Sequence, residues 1–148
     1  MKVIFGSDAS LERKLAKIIT NPAEQADWSK IEHAIRGMEH KIVVINAKNG
    51  RNVEVARSAI AVIQSEDRMS SVRLITGEMY LLNKRLKYVE EEMDPAEFLK
   101  INNQTIINTR YIQEFFSTEH ARVEVILQDG SSYFVSRHYM KSFRGKRS

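Results

Sequence analysis

Residues 98–108 read FLKINNQTIIN. Phe98, Ile101, Ile106 and Ile107 bracket the polar run Asn102, Asn103, Gln104 and Thr105, the pattern of two buried strand ends holding up an exposed polar loop. Asn and Gln carry a donor and an acceptor on one amide, so each can pair with a nucleic-acid base through both at once. Taken alone, the stretch also fits an ordinary surface turn. The C-terminal SRHYMKSFRGKR, residues 136–147, adds a short helix with one cationic face. Two such elements in one small domain point to a nucleic-acid reader.

Downstream of the hairpin, residues 108–115 are expected as a short turn or helix that carries Tyr111, Ile112 and Phe116 inward. Residues 121–127 and 132–135 then form a hairpin around Asp129-Gly130, and Ser136 caps a final helix over residues 137–143. At about 100° per residue, Tyr139, Met140 and Phe143 share one arc. Arg137, Lys141 and Arg144 share the opposite one, with His138 at its edge.

Upstream, the hydrophobic period is two from Lys41 onward. Residues 41–56, KIVVINAKNGRNVEVA, read as a hairpin whose Asn49-Gly50 suits a type I′ turn. Residues 58–65 read as an apolar strand and 66–71 as a polar loop; 72–75 and 78–82 flank a Thr76-Gly77 turn. A helix over 83–93 turns Leu86, Val89 and Met93 inward and stops at Asp94-Pro95. Its Glu90, Glu91 and Glu92 read as a solvated face. Before Lys41, MKVIF reads as a short strand and residues 11–20 as a second strand or a helix. Asn21-Pro22 is a helix start, followed by an apolar stripe of Trp28, Ile31, Ile35 and Met38. The expected organisation is therefore a small αβ appendage over 1–40 and a mostly β domain over 41–148. Strand periodicity alone supports a β-rich sandwich or barrel.

FLKINNQTIIN followed by Tyr111 and Ile112, then a hairpin, then SRHYMKSF, resembles the LytTR domain, the DNA-binding module of many bacterial response regulators and of small stand-alone regulators. The likeness covers roughly residues 41–143, and no receiver domain is expected in front of it. It lies in the order and spacing of a phenylalanine, a basic residue, a polar triplet, an aliphatic pair and Asn. The resemblance implies an elongated stack of small antiparallel sheets with short helices, whose loops project from one side into DNA. It also implies three groups of contacts: Arg68 and Ser70 in the loop over 68–71; Asn102, Asn103 and Gln104; and Arg137 and His138 with Lys141 nearby. Arg137 suits guanine O6 and N7, Asn103 a base edge or a phosphate, and Lys100 and Lys141 phosphates. Asn108 reads as a local cap rather than a base reader. Many members have Arg-Ser or Lys-Ser where this chain has Asn103-Gln104, so a formal charge is replaced by an amide and sequence preference does not carry over. Lys100 lacks the bidentate fork of arginine. Family members bind repeated half-sites in double-stranded DNA, which implies a homodimer; residues 1–40, outside the likeness, are read as an appendage that either packs on the domain or mediates self-association, the second giving the dimer contact. By analogy only, a membrane protein restrains small members of this kind.

Composition agrees with a folded reader. The chain has 148 residues, 43% hydrophobic and 28% charged, and no cysteine, which excludes disulfides, thiolate metal sites and a cysteine nucleophile. Net charge is +4. Residues 1–40 hold six cations and six anions, residues 41–98 nine and nine, and residues 99–148 eight and four, so the whole excess lies in the last fifty residues. Such an excess at one end suits a phosphate-backbone binder; for Arg144, Lys146 and Arg147 it also fits a solvated tail. MKVIFGSDAS turns polar too soon for a signal peptide, and no apolar run reaches membrane-spanning length, so a soluble cytoplasmic protein is expected. His33, His40, His120 and His138 have no carboxylates at ligand spacing. No Gly-rich phosphate loop or nucleophile elbow appears. Neither an enzyme nor a cofactor is expected. The rival reading is a β-rich protein interaction module whose basic end binds an acidic partner.

Overall fold

A computed structural model of the chain describes residues 1–13 and 15–147, excepting the side chains of residues 37–39, 121, 146 and 147. Met38 on the N-terminal stripe, and the solvated tail at Lys146 and Arg147, lie outside the described residues. The chain divides into two units, Met1–Ala34 and Ile35–Ser148.

In the first unit Asn21 and Pro22 act as expected. The Asn21 side-chain oxygen accepts the Ala23 amide at 2.9 Å, opening a 3-10 segment, Pro22–Asp27, that leads into α1 (Trp28–Glu39). The Trp28 indole donates to the Thr20 hydroxyl at 2.7 Å. The expected strand MKVIF does not form, nor is there a strand or helix over the described residues of 11–20. A lone strand leaves its amides and carbonyls unpaired, and among its described residues this unit offers no partner strand; Val3, Ile4 and Phe5 are exposed.

The second unit is built on two antiparallel sheets. β1 (Lys41–Ile45), β2 (Asn52–Ala56), β3 (Ile60–Glu66), β4 (Met69–Leu74), β5 (Met79–Leu82), β6 (Phe98–Asn102) and β7 (Thr105–Asn108) form one, in the order β2-β1-β5-β4-β3-β7-β6. β8 (Ile112–Ser117), β9 (Val123–Leu127) and β10 (Ser132–Val135) form the other, with β9 in the middle. Helix α2 (Leu86–Glu92) follows β5, and α3 (Met140–Arg147) closes the chain. The family-implied mostly β architecture is thus present.

Successive residues along β6, β7 and β3 feed two different cores. Ile60, Ile63, Phe98 and Ile106 join Val44, Val72, Leu82 and the α2 residues Leu86 and Val89 with Met93 in one. Ala61, Val62, Leu99, Ile101 and Ile107 join Val123, Val125, Leu127, Val135 and Phe143 in the other. The aliphatic pair Ile106-Ile107 therefore faces both ways, with α2 on one side and the second sheet and α3 on the other. Asn108 is buried behind it. Its side-chain nitrogen donates to the Ile60 carbonyl at 2.8 Å and its oxygen accepts the Arg110 amide at 3.0 Å, a cap on the turn Thr109–Tyr111 as expected.

Four local expectations need correction. The β1–β2 connection is not a type I′ turn, which needs positive φ at both central residues; Gly50 has φ 71 but Asn49 does not share that region. Instead Asn46 organises a longer loop, its carbonyl accepting the Gly50 amide and its side chain the Lys48 amide, at 2.8 and 2.9 Å. The loop over 66–71 shrinks to a turn at Asp67-Arg68, since Glu66 and Met69 are already paired. Ser70 and Ser71 lie in β4. Residues 112–117 form a strand rather than a turn or helix, and a bulge between Ile112 and Glu114 reverses the alternation beyond it. Phe116 therefore pairs with Glu124 and Phe115 with the buried Val125, although on this edge strand both rings stay largely exposed. Ser136 makes no side-chain cap; its carbonyl accepts the Tyr139 amide at 2.9 Å in a 3-10 turn, Arg137–Tyr139, ahead of α3.

One guanidinium joins the two sheets. Arg73 on β4 donates to Asp129 in the β9–β10 turn, to the Ser131 hydroxyl at 2.8 Å and to the Tyr133 hydroxyl at 2.7 Å.

Candidate nucleic-acid interface

Asn103-Gln104 forms the turn between β6 and β7, closed by the Asn102–Thr105 pair. Both turn side chains are exposed, but the expected exposed run of four polar residues shrinks to these two, because Asn102 ends β6 half-buried and Thr105 opens β7 buried. The Gln104 carbonyl accepts the Ser65 amide at 2.9 Å, and Gln64 pairs with Thr105. That register sets the Asp67-Arg68 turn at the same end of the sheet as Asn103-Gln104, with the Arg68 side chain exposed.

The last helix reaches this end through β6. The Ser136 amide donates to the Ile101 carbonyl at 2.9 Å, and the Asn102 side-chain nitrogen donates to the Phe134 carbonyl at 2.9 Å. The Tyr139 hydroxyl donates to the Asn103 side-chain oxygen at 3.0 Å. Phe143 anchors α3, fully buried with its ring edge-on to Phe115 at 5.3 Å between centroids. Arg137, His138, Lys141 and Arg144 consequently lie on the exposed side, the two arcs expected from the helical period. None of these arginines and lysines makes an ion pair among the described residues.

The sequence-derived site residues thus fall into two groups. Arg68, Asn103, Gln104, Arg137, His138 and Lys141 are exposed, and Lys100 is partly so. Two others spend their polar atoms within the protein. Asn102 has its oxygen on the Gln104 amide at 2.9 Å and its nitrogen on Phe134, so it braces the turn. Ser70 is fully buried, and its hydroxyl donates to the Lys84 carbonyl at 2.7 Å.

Sequence reasoning missed a neighbouring group. Asn102, His120, Arg122, Phe134, Ser136 and Arg137 line an open cleft of about 440 Å³. His120 holds a left-handed backbone, φ 69, in the β8–β9 connection. The Arg122 guanidinium stands 6.0 Å from the Phe134 ring centroid, a cation–π distance that leaves its outward donors free. The signal was available: Val123 pairs with Val135 across the Asp129-Gly130 turn, so Arg122 must lie opposite Ser136, next to Arg137.

Chemically, the surface offers amide and guanidinium donors, unpaired positive charge and a little aromatic area. Among the described residues no cluster of three or more His, Asp or Glu is placed to hold a metal, and no helix is long and apolar enough to cross a membrane.

Comparison with known proteins gives a consistent picture. Residues 50–147 match the family model of the LytTr DNA-binding domain. The chain is 26% identical over 136 residues to the sensory transduction protein LytT of Enterococcus faecalis, covering 91% of this chain and 55% of that protein. It is 33% identical over 69 residues to the transcriptional regulatory protein LytR of Staphylococcus aureus, covering 47% of this chain and 28% of that one. The chain therefore spans only about half, or less, of these relatives. The LytTr DNA-binding domain of a putative methyl-accepting/DNA response regulator from Bacillus cereus superposes with a TM-score of 0.67 at 17% identity, over 74% of this chain and 98% of that structure. At that identity the likeness is one of fold.

Proposed function

We propose, from the premise that this chain belongs to the LytTR family of DNA-binding domains, that it is a sequence-specific DNA-binding transcriptional regulator. One observation carries the reading to these residues: the exposed Asn103 turn is hydrogen-bonded to the start of the last helix, so amide readers and unpaired cations share one surface. Arg137 reads a guanine edge in the major groove, and Asn103 and Gln104 contact bases or phosphates beside it. Lys100, Lys141 and Arg122 neutralise the flanking phosphates. Arg68 at the adjacent turn and His138 beside Arg137 extend the surface. Asn102 acts as a brace, and Ser70, being buried, is left out.

Two protomers on repeated half-sites are the proposed assembly, with residues 1–40 between them; the exposed Val3, Ile4, Phe5 and Ile19 support that role. Family analogy adds a restraining membrane protein as a further partner to seek, and the bacterial cytoplasm, where the chromosome lies, as the place of action. The test is selection of a randomised duplex library by the purified protein at near-physiological salt, with the bound pool sequenced. An enriched, spaced pair of short motifs supports a dimeric sequence-specific regulator. A bound pool that stays random reduces the surface to a non-specific phosphate binder. Absence of binding turns the reading toward a protein module with an acidic partner.

A further inference from the structure

We infer that Tyr139 is a positioning residue that sets the base preference of this interface by orienting Asn103, an inference that rests on the DNA-binding reading above. Three of the proposed DNA-facing side chains meet on this one ring. Its hydroxyl donates to the Asn103 oxygen at 3.0 Å. The Lys100 ammonium stands 5.8 Å from its centroid, and the His138 ring meets it edge-on at 5.0 Å. Tyr139 itself is half-buried, its amide tied to the Ser136 carbonyl at the first turn of the helix.

An exposed asparagine amide in a two-residue turn can exchange its oxygen and nitrogen by rotation about the last side-chain bond. The phenolic hydroxyl could accept from the amide nitrogen as well as donate to its oxygen; in this structure it donates, and the bond so formed holds the oxygen on its side. With the oxygen held toward the helix, the nitrogen and its two hydrogens are what Asn103 presents outward. A pinned donor favours acceptor edges, such as guanine O6 and N7 or thymine O4, and disfavours the cytosine amino group. The hydroxyl and the ring then have separate duties. The hydroxyl governs which base edge is accepted, and the ring holds Lys100 and His138 close to the turn.

The test uses the full chain, with two probes: a duplex recovered from the randomised pool by the wild-type protein, and a scrambled duplex of equal composition. Tyr139→Phe removes the hydroxyl and keeps the ring. It is expected to weaken binding to the selected duplex by roughly two- to ten-fold, the range of one neutral hydrogen bond. Binding to the scrambled duplex and the salt slope should not change. A repeated selection should lose its preference for an acceptor at one base position. In an Asn103→Ala background the same change should add nothing, whereas a general structural defect would weaken both duplexes and persist there. In the free protein, the Asn103 side-chain amide signals should shift in a 15N NMR spectrum of Tyr139→Phe. An unchanged ratio of selected to scrambled affinity, or an equal loss in the Asn103→Ala background, overturns the inference while the DNA-binding reading stands. A wild-type protein that selects no motif overturns both.

Discussion

Replacing Arg73 by Met tests the joint between the two sheets. The change keeps the aliphatic stem and removes three hydrogen bonds, one to the Asp129 carboxylate and one each to the Ser131 and Tyr133 hydroxyls. All three have the ionised guanidinium as donor, and such charge-assisted bonds contribute about 1.5–3 kcal/mol each. The full sum is not expected. Ser131 keeps a 2.6 Å bond to Asp129, and the Arg73 and Asp129 side chains, 19% and 17% exposed, admit water once the guanidinium is gone. The expected loss is about 2–3 kcal/mol, read from urea unfolding at pH 7. Acid supplies a second measurement. Burial pushes the Asp129 carboxyl up, but hydrogen bonds from Ser131 and Arg73 outweigh it and hold the group below the ordinary aspartate value. A depressed carboxylate stabilises the fold above the unfolded value, about 3.9, and that contribution disappears as pH falls through the lower folded value. Arg73→Met removes one cause of the depression, so the gap between wild type and variant should narrow below about pH 4. A loss under about 0.5 kcal/mol, a gap that widens in acid, or simple additivity with Asp129→Asn would refute the joint as described.

Further changes separate reading from holding. Arg137→Ala should cost about 1–3 kcal/mol on a selected duplex and blur one base position; equal loss on scrambled DNA, measured by anisotropy, would reduce Arg137 to a backbone contact. Arg122→Gln should weaken selected and scrambled duplexes alike and lower the slope of log affinity against log salt by about 1; an unchanged slope would remove the cleft from the interface. Phe143→Ala should destabilise the second unit by about 3–5 kcal/mol, seen as a lower denaturant midpoint, because the ring is fully buried among Leu99, Val125 and Val135 in the second core. A cost under about 1 kcal/mol would show that α3 is not anchored there.

What could be read in the sequence was what periodicity controls. The aliphatic residues around Asn102–Thr105, the inner face of α2, the cap at Asn108 and the two arcs of the last helix all follow from spacing and residue type. The failures share a cause, namely a partner outside the local window. Ser70 reads as loop by composition, but β4 pairs it with Leu82 on β5 and with Ser65 on β3. Phe116 reads as inward until the bulge in β8 reverses the parity. Asn49-Gly50 reads as a tight turn until Asn46, three residues earlier, takes over the loop. MKVIF has strand composition but no described strand beside it in its unit. For the interface, charge and residue type marked the readers but could not show that both ends of the Asn102 amide are taken within the protein or that Tyr139 reaches Asn103. Arg122 was recoverable by register alone.

Because Ile106 and Ile107 go to opposite cores, the polar turn is carried on a strand gripped from both sides. Its shape is fixed by residues that a partner never meets. Association therefore loses little chain entropy at the turn, and the two sets of residues can change independently. Substitutions at 103 and 104 should alter what is recognised while leaving the unfolding midpoint nearly where it was. A scaffold of this kind lets recognition diverge from one copy to the next without renegotiating the fold.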